Sequence, residues 1–156
     1  MWRRQLLRAA AGACAGFGSG LIARASQPFA RESWPAPLRR GSRIAAVAPG
    51  TWLEPGDPTL ALLRQRCQAK GWQLLTPPEL GNRWRWFAGT DGARSRALRQ
   101  AWLDPHVDAI FCVGAGWGSA RLLEQGWVPA PGPRWCVGFS DVSALLLAQQ
   151  IGRAHV

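Results

Sequence analysis

One hydroxyl in this chain stands where it could do chemistry. The stretch Cys112–Leu123, CVGAGWGSARLL, places Ser119 directly behind three alternating glycines, Gly114, Gly116 and Gly118. An apolar run precedes it and a helix-like segment follows. A serine between strand and helix sits on a sharp bend, and this one is expected to carry its hydroxyl outward. The first N–H groups of a helix lack intrahelical acceptors and lie at the positive end of its dipole. They could therefore hold the oxyanion of an acyl-transfer intermediate. Small neighbours let a substrate approach the backbone closely.

Rival chemistries fit less well. The dinucleotide fingerprint G-x-G-x-x-G wants a third glycine where Ser119 stands, and it belongs on the first strand–helix turn, not the third. No Gly-Lys-Ser/Thr follows, which excludes a phosphate-binding P-loop. The hydrolase elbow G-x-S-x-G is unmatched, because Arg121 occupies the second glycine position. The plain alternative is a serine that only caps a helix, and pattern alone favours it.

The elements that must position this loop alternate. RIAAVAP (Arg43–Pro49) reads as a buried strand ended by Pro-Gly. From Pro58 to Lys70, Leu60, Leu63 and Cys67 recur at helical spacing, and Gly71 stands at the C-cap. Trp72–Pro77 is a second strand. A polar loop then holds Trp84, Trp86 and Phe87, which could line a substrate groove or pack inward, the commoner fate. Thr90 or Asp91 caps a helix over Gly92–Leu103 that Asp104-Pro105 stops. Val107–Val113 is a third strand, SARLLEQ starts a helix, and Arg134–Phe139 is a fourth strand. The last helix starts at SDVSALLLAQQ, with Ser140 or Asp141 as cap. This βαβαβαβα order implies an α/β fold: an open parallel sheet with helices on both faces. Ligand sites in such sheets lie at the carboxyl ends of the strands, so the loops after Ala48, Pro77, Val113 and Gly138 should converge.

The 156 residues are enough for one domain with a core. The formal charge of +10 is almost all arginine, with Lys70 the only lysine, and it is scattered, not striped as a nucleic-acid groove would be. No nucleic-acid partner is expected. The four cysteines include no CxxC pair, which argues against a zinc site, and Cys112 and Cys136 read as small core residues. Residues 1–25 carry Arg3-Arg4, a mild apolar stretch and Ala23-Arg24-Ala25, the pattern of a twin-arginine export signal. An exported, periplasmic protein without a stable membrane anchor is expected; without that signal working, it would be cytoplasmic. Residues 26–42 read as a linker and 43–150 as the α/β domain.

Several segments together resemble the LD-carboxypeptidase family of serine peptidases. RIAAVAPG resembles its first strand and Ala-Pro-Ser loop, with Gly50-Thr51 in place of serines. FAGTDGARSRALRQAWLDPHVDAIFCVGAGWGSARLL resembles its longest shared block, including Gly89-Thr90-Asp91, Arg94, Leu98 and Ala101. The family's Gly-Gly-Tyr-Gly-Ser stands here as Ala115-Gly116-Trp117-Gly118-Ser119, and VGFSDVSALLLA resembles its Gly-Tyr-Ser-Asp-x-Thr-Ala-Leu. The resemblance implies a flavodoxin- or amidotransferase-like N-terminal domain. It implies Ser119 as nucleophile of a Ser-Glu-His triad. Gly116, Trp117, Gly118 and Ala120 would form the oxyanion loop, with Pro49, Gly50, Thr51, Ser140 and Asp141 on the rim. The implied reaction removes a terminal D-alanine from murein tetrapeptides, with no metal or cofactor and a possible homodimer. A reading of a different class is a non-catalytic α/β module that binds cell-wall or anionic ligands.

Family members are about twice this length, and their glutamate and histidine fall in the second half. The chain is therefore read as incomplete, lacking its C-terminal catalytic domain, poorly soluble and inactive alone. His106, in an Asp-Pro-His turn, is expected to be a surface residue. Residues 151–156, IGRAHV, match what a sequencing-adapter read-through would encode and are read as a non-native tail.

Overall fold

Side chains that alternate in direction along the first strand, buried on both faces, divide the core in two. In a computed structural model, which describes residues 34–114, 116–127 and 132–154, strand β1 (Arg43–Val47) points Ile44 and Ala46 to one face of a sheet and Ala45 and Val47 to the other. Helix α1 (Thr59–Lys70) covers the first face through Leu63 and Cys67. Its C-cap is Gly71, in the left-handed conformation at φ 70°. Helix α2 (Asp91–Leu103) covers the second face with Leu98 and Trp102. Trp102 packs edge-on against Trp127 with ring centroids 6.0 Å apart.

The remaining strands are β2 (Gln73–Leu75), β3 (Ala109–Cys112) and β4 (Trp135–Val137). All neighbours pair in parallel, in the order β2-β1-β3-β4. Helix α3 (Ala120–Glu124) is a short turn after β3, and helix α4 (Ser143–Ala154) follows β4. Leu122 and Leu145 carry these helices into the same core as Leu98. The α/β reading with helices on both faces therefore holds. Strands are shorter than their apolar runs: Val107 and Val113 are buried, yet lie outside β3.

The strand order matters for function. β1 and β3 are central neighbours whose chain connections leave in opposite directions along the sheet, which opens a crevice between the loops beyond their carboxyl ends. Those loops begin at Ala48 and Val113. At the edge of the sheet, Val137 on β4 and Phe139 just beyond it are exposed. Among the described residues no helix is long and apolar enough to cross a membrane. The export segment and the linker up to residue 33 lie outside the described residues, as do His155 and Val156.

Leu98 is 1 % exposed and central to the larger core. Leu98→Ala is expected to cost about 2–5 kcal/mol, read as a lower urea midpoint with little change in slope.

Candidate active site

The loops after β1 and β3 touch through glycine. A Cβ on Gly50 would come within 2.9 Å of Asp141 Oδ2, 3.2 Å of the Trp117 carbonyl and 3.4 Å of Ser119 Oγ. Gly50 therefore leaves no room for a side chain, because Asp141 and the loop that carries Ser119 crowd in. Gly116 has φ 124° and lies against the Thr51 side chain. Thr51 Oγ1 in turn accepts the Trp117 N–H at 3.3 Å. The pattern of alternating glycines is thus the trace of one loop bent against another.

Ser119 differs from its expected posture. Its backbone is ordinary right-handed helix, φ −64° and ψ −39°. The unusual torsions fall instead on Gly114, Gly116 and Gly118. A helical serine points back toward the helix start, so the hydroxyl is not pushed outward. The residue is fully buried, at 0 % exposure. Its Oγ has no hydrogen-bond partner, and it makes no capping bond to α3. The plain capping role therefore fails. Its N–H is taken by Asp141 Oδ2 at 2.6 Å. A buried hydroxyl left unpartnered is rare and calls for a reason. Ala120 opens α3, so its N–H belongs to the helix's unpaired first turn.

Asp141 was expected on the rim or as a helix cap. It lies in a 3-10 turn, Ser140–Val142, and reaches across to Ser119 instead. Ser140, exposed and at φ 57°, starts that turn in the left-handed region. Thr90, not Asp91, caps α2, its hydroxyl accepting the Ala93 N–H at 3.3 Å. Asp91 is free for another task.

That task involves a residue the sequence placed only within a shared block. Arg94 is buried in the first turns of α2, its side chain at 0 % exposure. Its guanidinium donates to the carbonyls of Pro49 and Gly118, the latter at 2.9 Å, and pairs with Asp91 Oδ1. Asp91 also takes a forked pair from Arg121, at 3.0 and 2.6 Å. The phenyl ring of Phe87 lies 4.7 Å from the Arg94 guanidinium and packs on Gly118. The bond from Arg121 holds the Asp91 carboxyl below its usual range, helped by Arg94 and opposed by partial burial. A signal was available: Arg94 shares the i, i+4, i+8 row of Leu98 and Trp102, the buried face of α2.

His106 is exposed in the turn before β3, its N–H bonded to Asp104. It lies at the opposite end of that strand from Ser119 and is no partner for it. Among the described residues, no cluster of three or more His, Cys, Asp or Glu side chains could hold a metal. The Cys112 and Cys136 thiols adjoin across β3 and β4, and the bond between them raises Cys112 and lowers Cys136.

Comparison with known proteins identifies the family and the fold. Residues 44–154 match the LD-carboxypeptidase N-terminal domain. A Synechocystis sp. protein, provisionally named a carboxypeptidase, is 39 % identical over 72 % of this chain and 37 % of its own length. The murein tetrapeptide carboxypeptidase of Pseudomonas aeruginosa is 32 % identical over 79 % of this chain and 39 % of its own. The chain thus spans well under half the length of these relatives. Among solved structures, a muramoyltetrapeptide carboxypeptidase from Oxalobacter formigenes superposes with a TM-score of 0.55 at 24 % identity, over 71 % of this chain and 37 % of that one. A protein from Bacillus anthracis similar to the microcin C7 self-immunity protein gives 0.61 at 21 %, over 72 % and 35 %. These two likenesses show the fold.

Two tests follow from the ion cluster and the anchored loop. Asp91→Asn leaves buried Arg94 short of its counter-charge and is expected to cost about 3 kcal/mol in urea unfolding at pH 7. The folded carboxyl titrates below its unfolded value of about 3.9. Its contribution is therefore full above that value and lost as pH falls through the folded one. The gap between parent and variant should close below about pH 4. Asp141→Ala is expected to cost about 1.5–3 kcal/mol, and Asp141→Asn, which still offers an acceptor to the Ser119 N–H, clearly less.

With residues 44–154 matched by that domain and both relatives more than 30 % identical, this chain belongs to the LD-carboxypeptidase family.

Proposed function

We propose that this protein is a serine-type carboxypeptidase that releases the terminal D-alanine of murein tetrapeptides. The observation that carries the reading is the buried Ser119 hydroxyl, which neither caps a helix nor bonds any neighbour. In the proposed step Ser119 Oγ attacks the carbonyl carbon preceding D-alanine and loses its proton to a base. The base and its orienting carboxylate are the histidine and glutamate of the family's triad; neither role falls to a described residue of this chain. The N–H of Ala120, with that of Gly116 or Gly118, receives the oxyanion; the Trp117 N–H is held by Thr51. The N–H of Ser119 is already held by Asp141, so it is not among these donors. The C–N bond then breaks, the proton passes to the amine of D-alanine, and water hydrolyses the acyl-serine.

The substrate class rests on the relatives' names, and export rests on Arg3-Arg4 with the Ala23-Arg24-Ala25 site. The same rim could serve a module that only binds murein, and one substitution separates the two. Ser119→Ala in the complete gene product is expected to lower D-alanine release from a murein tetrapeptide by 10³-fold or more, while substrate binding persists. Unchanged turnover in the variant would sink the nucleophile.

A further inference from the structure

The sequence places Thr51 on the rim of the site. The structure sets it against the loop that carries Ser119, at each of that loop's bends. A Cβ on Gly114 would stand 2.7 Å from the Thr51 carbonyl oxygen, and the Thr51 side chain fills the space that a side chain on Gly116 would need. The Thr51 backbone pairs with Phe87 in an isolated antiparallel bridge. Phe87 in turn is buried, and its ring would lie 2.5 Å from a Cβ on Gly118. The three glycines have φ of 81°, 124° and 111°. Their bends thus share one template: Thr51 meets two of them directly and the third through its bridge partner.

One bond goes beyond contact. Thr51 Oγ1 accepts the Trp117 N–H at 3.3 Å. That amide belongs to the peptide group between Gly116 and Trp117. The Gly116 N–H stands on one side of it and the Gly118 N–H on the other, the pair from which an oxyanion donor is drawn. Glycine imposes little on its own torsions, so a loop of alternating glycines needs outside groups to choose its conformation. Arg94 and Asp141 do this at the far end, on the Gly118 carbonyl and the Ser119 N–H. Thr51 does it at the near end. Its branched Cβ restricts χ1, so Oγ1 is presented in one place.

The geometry points to Thr51 as a positioning residue: its hydroxyl fixes the Gly116–Trp117 peptide and so aims the amide that receives the oxyanion, an assignment that rests on the serine-peptidase reading above. In this role Thr51 acts through the backbone and needs no contact with substrate. The oxyanion exists only beyond the bound ground state, so the hold is felt in the transition state. Its signature is a loss in kcat with KM kept.

The test uses the complete gene product. Thr51→Val keeps the branched shape and removes the acceptor. It is expected to lower kcat for D-alanine release from a murein tetrapeptide about ten- to hundredfold, with KM within about twofold. Thr51→Ser restores Oγ1 without the second branch and is expected to hold kcat within about threefold of the parent. A valine variant as fast as the parent, a serine variant as slow as valine, or a loss confined to KM would overturn the assignment. Hydrogen exchange reads the same hold without turnover: the Trp117 amide is expected to exchange about tenfold faster in Thr51→Val than in the parent or Thr51→Ser. Equal exchange in all three would also overturn it. A fluorophosphonate separates this assignment from the choice of substrate. Ser119 Oγ displaces fluoride from phosphorus, its proton passes to the base, and the phosphoryl oxygen takes the oxyanion's place. A parent that is labelled at Ser119 but releases no D-alanine would sink the carboxypeptidase reading alone; slower labelling in Thr51→Val then supports the positioning role, and equal labelling overturns it. A parent that does neither would overturn both.

Discussion

The arrangement depends on one buried cation. Arg94 reaches from α2 to the carbonyls of Pro49 and Gly118, the two loops that the parallel sheet brings to its carboxyl edge. Loop carbonyls so placed have no strand partners, and burying them unpaired would be costly. A guanidinium has five donors in a rigid fork and can serve several acceptors at once. The charge it brings must be balanced, and Asp91, one helical turn earlier, does that. Asp91 is in turn gripped by Arg121 of α3. One ion cluster therefore sets the spacing between α2, α3 and both site loops. Lysine could not replace Arg94, because a single ammonium cannot span carbonyls and carboxylate in one plane.

The cluster also explains why Ser119 is held without being used. Its N–H is bound from one side by Asp141, and the preceding carbonyl, that of Gly118, from the other by Arg94. Two charge-assisted bonds on adjacent backbone groups fix the peptide plane, and the hydroxyl is left over. Preorganisation of this kind is set during folding, before any substrate arrives. Gly50 completes it by omission, since any side chain there would press on Asp141 and on the hydroxyl.

Much of the fold was legible because it is written in local periodicities. Apolar runs ended by Pro-Gly or Gly, and the Leu60–Leu63–Cys67 spacing, fix β1 and α1 without reference to the rest. The serine was legible as a loop position, but its posture was not. Pattern suggested an outward hydroxyl or a cap; the torsion sits on the glycines, and Ser119 joins the helix. Asp141 read as a cap because acids often stand there, but a partner 22 residues away is a tertiary fact. Arg94 was hidden for the opposite reason. An arginine in a helix is usually solvated, and only its place on the Leu98–Trp102 row betrays burial.

The aromatic loop shows where such reading ends. Three rings within four residues, Trp84, Trp86 and Phe87, carry no periodicity that would assign them inside or outside. What separates them is the turn at Arg85: its left-handed backbone pairs Trp84 with Phe87 and leaves Trp86 at the tip. The same turn lays Phe87 on Gly118 and beside the Arg94 guanidinium, so the aromatic loop and the loop that carries Ser119 share one support.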